Sequence, residues 1–418
     1  MRPLQRRRIL LILVSTLVQN LAFALPTPPQ KTATIQIRVR LAEAVSEARV
    51  HGYDLKIYSR NQIVAAPLRE GEWEFHCEDG RIRATQANGS ATLDLPEPVS
   101  LRTPAGFLSF MGRPYRQKIM IYSQGSLCEV INQLNLEKYL QGLVNAEFSS
   151  RWNESSISAQ VVAARTYAYF QILQARENRN AHFDVDATVT DQVYDGSMRE
   201  DPRASRIVKK TVGEILTVGP SAAPRPIKAF YHSTCGGITE LPQHVWGKAF
   251  PGFKHAVICH FCSKSPRFHW RLDLGAGEIT KAIRKSARTE GIPPGWPKNA
   301  LRLLQTSEIS RIEVSARDDE ERVSQLLTLW WNPWTSRYYS FPLSGAKFRS
   351  WLGSARFQSA WFDVRPDGAG SSWTIEGRGY GHGVGMCQWG AKTMGEKGYT
   401  TAQILHYYYP DAILRKLW

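Results

Sequence analysis

Residues 135–170, NLEKYLQGLVNAEFSSRWNESSISAQVVAARTYAYF, decide how the rest of the chain is read. Asn135 is placed to cap a helix in which Leu136, Leu140, Leu143 and Val144 recur at helical spacing. Glu147 stands three and four residues after Val144 and Leu143, so it projects from the same apolar stripe. Phe148 and Trp152 follow at once. A carboxyl held against aromatics loses hydration, which raises its pKa toward the range of a general acid. The opposing reading is an ordinary helix-terminal acid in solvent. A second helix is predicted from Asn153 or Ser155 to about Glu177. Between Ala159 and Ile172 its only full charge is Arg165, and an Arg in such a run must face a carboxylate, a polar cleft or a ligand.

Around this pair lie 418 residues, 43% hydrophobic and 22% charged, the balance of a folded protein with room for one large or two or three ordinary domains. The formal net charge of +16 fits nucleic acid, an anionic membrane face or an acidic polymer. The N-terminus chooses among them. Arg2 and Arg6 to Arg8 precede an apolar run, and Ala22-Phe23-Ala24 gives an A-x-A-like cleavage site before Pro26. Residues 1–24 therefore read as a secretory signal peptide and 25–33 as a proline-rich spacer. No later stretch is apolar enough to span a bilayer. Export argues against nucleic acid and leaves an envelope polymer as the partner of the positive charge.

Residues 34–100 alternate apolar and polar in short runs, as in Ile35-Gln36-Ile37-Arg38-Val39-Arg40, with turn signals at Glu78-Asp79-Gly80 and Asn88-Gly89-Ser90. This part is expected to be β-rich, and 101–418 to form the functional region. The fold class expected is α+β, a helical core combined with mostly antiparallel β segments. In TVTDQVYDG (188–196), Gln192 and Tyr194 share a side if the segment is extended. A helix followed by a strand is expected within 204–218, a helix over 277–290, and strands around 309–316 and 325–331. The aromatics of WWNPWTSRYYSF could stack on sugar faces or pack a core, and the core reading is the one preferred here.

His232-x-x-Cys235 is followed by Cys259-x-x-Cys262, a spacing suited to a tetrahedral zinc ion. The six cysteines, at 77, 128, 235, 259, 262 and 387, equally allow disulfides in an exported chain. Three sulfurs and one nitrogen would make a structural site, with no open position for chemistry. In GRGYGHGVGMCQWGA (377–391) glycine alternates strictly, so one face of an extended chain would let a backbone or ligand approach. The opposite face carries His382.

Taken together, LEKYLQGLVNAEF, AQVVAARTYAY, DQVYDG, YHSTCGGITE, FQSAWFDV, GRGYGHGVGMCQWGA and ILHYYYPDA resemble the SpoIID/LytB family, in the family's order, from about residue 100 to 415. The resemblance implies lytic cleavage of peptidoglycan glycan strands, those already stripped of peptides in the best-understood members. The family's catalytic acid falls on Glu147, although Phe148-Ser149 stands where Met-Pro is usual. The resemblance brings Arg165, Gln192, Tyr194, Ser233 and His382 forward as glycan-binding residues. It also supports zinc at His232, Cys235, Cys259 and Cys262. Serine is usual where this chain has Cys387, which puts a role for that position in doubt. A lytic transglycosylase needs one acid, because the sugar's own C6 hydroxyl is the nucleophile, whereas ordinary glycosidases need two. Some family members enhance a partner amidase, so a non-catalytic, peptidoglycan-binding enhancer is the alternative. A zinc hydrolase is disfavoured by the thiolate-rich ligand set.

Overall fold

The computed structural model describes residues 34–65, 70–178, 180–368 and 371–418. The signal peptide and the spacer read from the sequence lie outside these residues. Alternation of buried and exposed positions builds the first part of the chain into ten strands. These are β1 (Gln36–Val45), β2 (Ala48–Tyr53), β3 (Lys56–Ser59), β4 (Gln62–Ala65), β5 (Glu70–Glu78), β6 (Arg81–Gln86), β7 (Thr92–Pro96), β8 (Val99–Phe110), β9 (Arg113–Gln124) and β10 (Leu127–Asn135). They pair antiparallel in the order β1-β10-β9-β8-β2-β5-β6-β7, with β3 joining β8. A short parallel strand, β11 (Val185–Asp186), adds to the edge at β1. The sheet curls, so that Cys77 on β5 reaches Cys128 on β10 in a disulfide although the two strands are not neighbours. Ile37, Val50, Phe75, Ile119 and Val130 fill the inside of the curl.

The sheet therefore extends to Asn135. Residue 100, the boundary expected from the sequence, falls inside β8, which pairs with β9 over Val99–Arg102 and again over Phe107–Phe110. The α+β class, mostly antiparallel and β-rich at the N-terminal end, is as expected.

Helix α1 (Leu136–Glu147) leaves β10 directly, and the Asn135 side chain accepts the backbone N–H groups of Glu137 and Lys138. Helix α2 (Glu154–Glu177) is capped by Asn153 and is buried almost all round, as its lack of a polar face requires. Ile157, Val161, Ala164 and Ala168 pack toward the sheet. Val162, Ala163 and Tyr167 pack the other way, against Phe230, Val384, Met386 and the C-terminal helices Gln388–Glu396 and Thr401–Tyr408.

Arg165 is the one charge inside α2 and is fully buried. It donates to both oxygens of Glu137 at 2.9 and 2.8 Å and to the Glu214 and Val208 carbonyls. It is a tie between α1, α2 and the following helix α3 (Pro202–Lys210) and strand Glu214–Val218. Expected as a glycan-binding residue, it is instead fully buried and is not among the residues that line the groove described below. Replacing Arg165 with Met strands the Glu137 carboxylate, and the expected loss is about 3–5 kcal/mol of stability. Urea denaturation measures it, and a change below about 1 kcal/mol would remove this assignment.

Residues 269–378 form a module with its own core of Trp270, Ile279, Trp330, Phe341, Phe348 and Trp373. It enters and leaves through paired strands, His269 opposite Arg378, so it is an insertion between the cysteine segment and the glycine-rich segment. Trp330 and Phe341 are core, whereas Trp334 at the hairpin turn is 85% exposed. No helix among the described residues is long and apolar enough to cross a membrane.

Candidate active site

Glu147 is the last residue of α1, where the helix presents unpaired carbonyls and the negative end of its dipole. Its Oε1 accepts the Val193 backbone N–H at 2.5 Å. Burial outweighs that hydrogen bond and pushes its pKa up to about 7. The aromatics around it differ from those expected. Phe148 turns into the core under the sheet, and the carboxyl instead shares an open groove of about 590 Å³ with Tyr167, Tyr231, Trp246 and Tyr380.

Ser233, His232 and His382 line the same groove. The His382 Nδ1 accepts the Val384 N–H at 3.0 Å, so its proton sits on Nε2. Burial, with His232 and Arg349 nearby, holds its pKa well below the usual value, and the ring stays neutral. It packs 5.1 Å from Trp246, which in turn stacks on Phe230 at 4.5 Å. The His232 Nδ1 donates to the Val384 carbonyl at 3.1 Å, which leaves its Nε2 buried without a partner.

Gln192 and Tyr194 do share a side, but it is the inner one. Gln192 accepts from the Tyr139 hydroxyl and donates to the Ala164 carbonyl and the Tyr231 hydroxyl. The Tyr194 hydroxyl donates to Asn132 Oδ1. Both are buried, and with Arg165 they support the groove from behind and do not line it. The motif they occupy is short and polar-aromatic, so its sequence could not say which way the side chains face.

This motif lines the groove with Val189, Thr190, Asp191 and Val193, and the acid among them is Asp191, one position before Gln192. Its carboxylate accepts from the Tyr167 hydroxyl at 2.5 Å, from Gln171 Nε2 at 3.1 Å and from the Asp186 N–H at 2.9 Å. A second acid thus lines the groove, contrary to the single acid expected. Three hydrogen bonds hold it in place.

The alternating glycines meet backbone. A Cβ on Gly385 would lie 2.0 Å from the Phe230 carbonyl oxygen, and one on Gly379 would lie 2.6 Å from that of Thr234. Both have positive φ, so this is a tight path against residues 230–236 and not an extended strand. The close packing fixes Ser233 and His382 on one wall.

Behind that wall four sulfurs converge. Cys235, Cys259, Cys262 and Cys387 lie with their Sγ atoms within 4.8 Å of one another, all buried. His232 is not among them. The fourth position of the expected set belongs to Cys387, brought in beside residue 232 by the pairing of Met386-Cys387 with Tyr231-His232. The Cys235–Cys262 separation is 3.4 Å, too long for a disulfide and near the about 3.8 Å spacing of sulfurs around tetrahedral zinc. The Cys235 and Gly390 N–H groups both point at the Cys387 sulfur at 3.4 Å, as donors do toward a thiolate.

Residues 124–218, which hold Glu147 and Asp191, match the family model of the stage II sporulation protein SpoIID. A Bacillus subtilis amidase enhancer is 28% identical over 66% of this chain and 40% of its own length. The stage II sporulation protein D of Bacillus subtilis is 28% identical over 68% of this chain and 78% of its own. These matches make the chain similar to SpoIID and to an amidase enhancer. An uncharacterized Brachyspira hyodysenteriae protein is similar over a longer stretch, 29% identical across 75% of each chain. The SpoIID match stops at residue 218, so the cysteine set, the insertion and His382 lie beyond it.

Proposed function

We propose that this protein is of the SpoIID/LytB family, is exported to the cell envelope and cleaves peptidoglycan glycan strands, peptide-stripped ones in particular, as a lytic transglycosylase. The observation that supports the reading is Glu147, a carboxyl on the wall of an aromatic groove with its pKa near 7. Protonated, it donates to the glycosidic oxygen as the C1–O bond breaks. As carboxylate, it takes the proton of the C6 hydroxyl while that oxygen bonds C1 and closes a 1,6-anhydro ring. Nothing is added from water. Trp246 and Tyr380 offer faces for sugar rings, Ser233 offers a polar contact, and the His382 ring lines the same wall. The test is release of soluble fragments from purified, peptide-free glycan strands.

The pH dependence has a definite sign. The first step needs protonated Glu147, so the rate of a chemistry-limited reaction falls about tenfold per unit as pH rises beyond about 7. A pH–rate profile checks this, and a rate that holds level from pH 6 to 9 would remove Glu147 as the acid.

The four cysteines are proposed to hold one structural zinc ion. Four thiolates close a tetrahedral site, so the ion supplies no open position and takes no part in bond making. Its place between Cys235, two residues after Ser233, and Cys387, five after His382, suits it to fixing that wall of the groove.

A second reading is stimulation of a cell-wall amidase, favoured by the name of the amidase enhancer relative. Under it, Glu147→Gln would still stimulate amidase digestion of whole walls. Under the catalytic reading, that variant loses fragment release.

A further inference from the structure

Where the insertion meets the core, four side chains converge that the groove chemistry does not use. Glu240 closes the loop begun by Cys235, and His244 lies on the short helix Pro242–Trp246. Asp318 and Glu320 come from the turn between the insertion's strands Glu308–Arg317 and Val323–Asn332. One ligand atom from each lies within 4.8 Å of the other three. The His244 Nδ1 stands 2.9 Å from Glu240 Oε1, 3.2 Å from Glu320 Oε2 and 4.0 Å from Asp318 Oδ2. A ring nitrogen carries at most one hydrogen, so it can satisfy only one of these carboxylates.

The surroundings do not make up the deficit. Glu320 is only 6% exposed, and its Oε2, which faces into the cluster, accepts no hydrogen bond. Arg322 comes within 3.5 Å of Glu240, yet its guanidinium also donates to the Thr239, Cys235 and Ile238 carbonyls. Backbone N–H groups donate as well, Leu241 to Glu240 Oε1 at 2.6 Å and Glu320 and Arg322 to Asp318 Oδ1 at 3.2 and 2.8 Å, but the full charges facing these three largely buried carboxylates are one guanidinium and one imidazole. A cavity of about 40 Å³ adjoins Glu240, His244 and Asp318, room for an ion or a water. The 2.9 and 3.2 Å separations match ligands about 3 Å apart at right angles around an ion bonded at about 2.1 Å.

We propose that Glu240, His244, Asp318 and Glu320 bind one divalent cation of the Mn²⁺ or Zn²⁺ kind, which clamps the insertion onto the core. The single imidazole disfavours Ca²⁺, which takes oxygen ligands throughout. The clamp reaches the groove wall, because the Glu240 N–H donates to the Gly383 carbonyl at 2.9 Å, next to His382. This site is independent of the sulfur set, whose soft ligands discriminate against Mn²⁺.

Mn²⁺ titrated into the full mature chain, with free ion followed by electron paramagnetic resonance, tests the proposal. One Mn²⁺ per chain is expected, with affinity at least tenfold weaker in Glu320→Gln and unchanged in a variant of the exposed neighbour, Glu321→Gln. Near-ultraviolet circular dichroism checks that each variant is folded. Should Glu320→Gln not fold, His244→Gln replaces it, since that side chain is 30% exposed and lies at the open edge of the cluster. Absence of Mn²⁺ binding by the wild type at millimolar ion would overturn the site, as would equal binding by wild type and the folded variant.

Discussion

Glu147→Gln is expected to lower glycan cleavage by about 10²–10⁴-fold while leaving strand binding within about threefold, because general acid catalysis contributes on that scale. The amide keeps the shape of the side chain, and as a neutral group it costs less to bury than the carboxylate. It can still accept the Val193 N–H that Glu147 accepts at 2.5 Å. What it cannot do is release a proton to the leaving oxygen. Rates on purified strands and a parallel sedimentation assay separate the two quantities. Retained cleavage would remove Glu147 from the chemistry and turn attention to Asp191, the other carboxylate on the groove. An equal fall in binding and cleavage would mean a positioning role only.

The second large effect concerns the cysteines. If the four sulfurs hold the proposed zinc, a strong chelator is expected to unfold the segment from Ser233 to Cys262 together with the last helices. The binding energy of a structural zinc site, about 10–16 kcal/mol, is comparable to the whole stability of a domain. Cys387→Ser should lower metal content to near zero, whereas His232→Gln should retain it, since only the former side chain points into the sulfur cluster. Metal analysis and thermal melting read both. If no metal is found and thiol titration of the denatured protein counts fewer than four free cysteines, these sulfurs are disulfide partners and the zinc assignment is lost.

Much of this arrangement was legible in the residues. The two helices announced themselves through their Asn caps and apolar spacing, and their bounds agree with the reading to within a residue or two. Glu147 was visible because an acid on an apolar stripe is anomalous. Arg165 was anomalous for the same reason, but sequence spacing could not tell a ligand contact from an ion pair. Glu137, its partner, is merely the second residue of the preceding helix. Gln192 and Tyr194 misled in another way: a short polar-aromatic motif marks where a wall is built without saying which face is the wall. Cys387 drew doubt because serine is usual at its position, and it lies outside the local C-x-x-C and H-x-x-C pairs that suggest a metal. It reaches the other sulfurs only through a strand pairing across the insertion. The insertion itself hid as a run of ordinary strands and helices. What defines it is that its two ends pair, His269 with Arg378, a contact no local pattern encodes.

The most direct test of the central claim is the chemistry of the ends produced. Purified glycan strands, with and without stem peptides, are incubated with the mature protein and the fragments weighed by mass spectrometry. Fragments ending in 1,6-anhydro-muramoyl residues, obtained from peptide-free strands and absent with Glu147→Gln, are the expected result. Fragments heavier by one water, with free reducing ends, would contradict it and make Asp191 the partner in a hydrolysis.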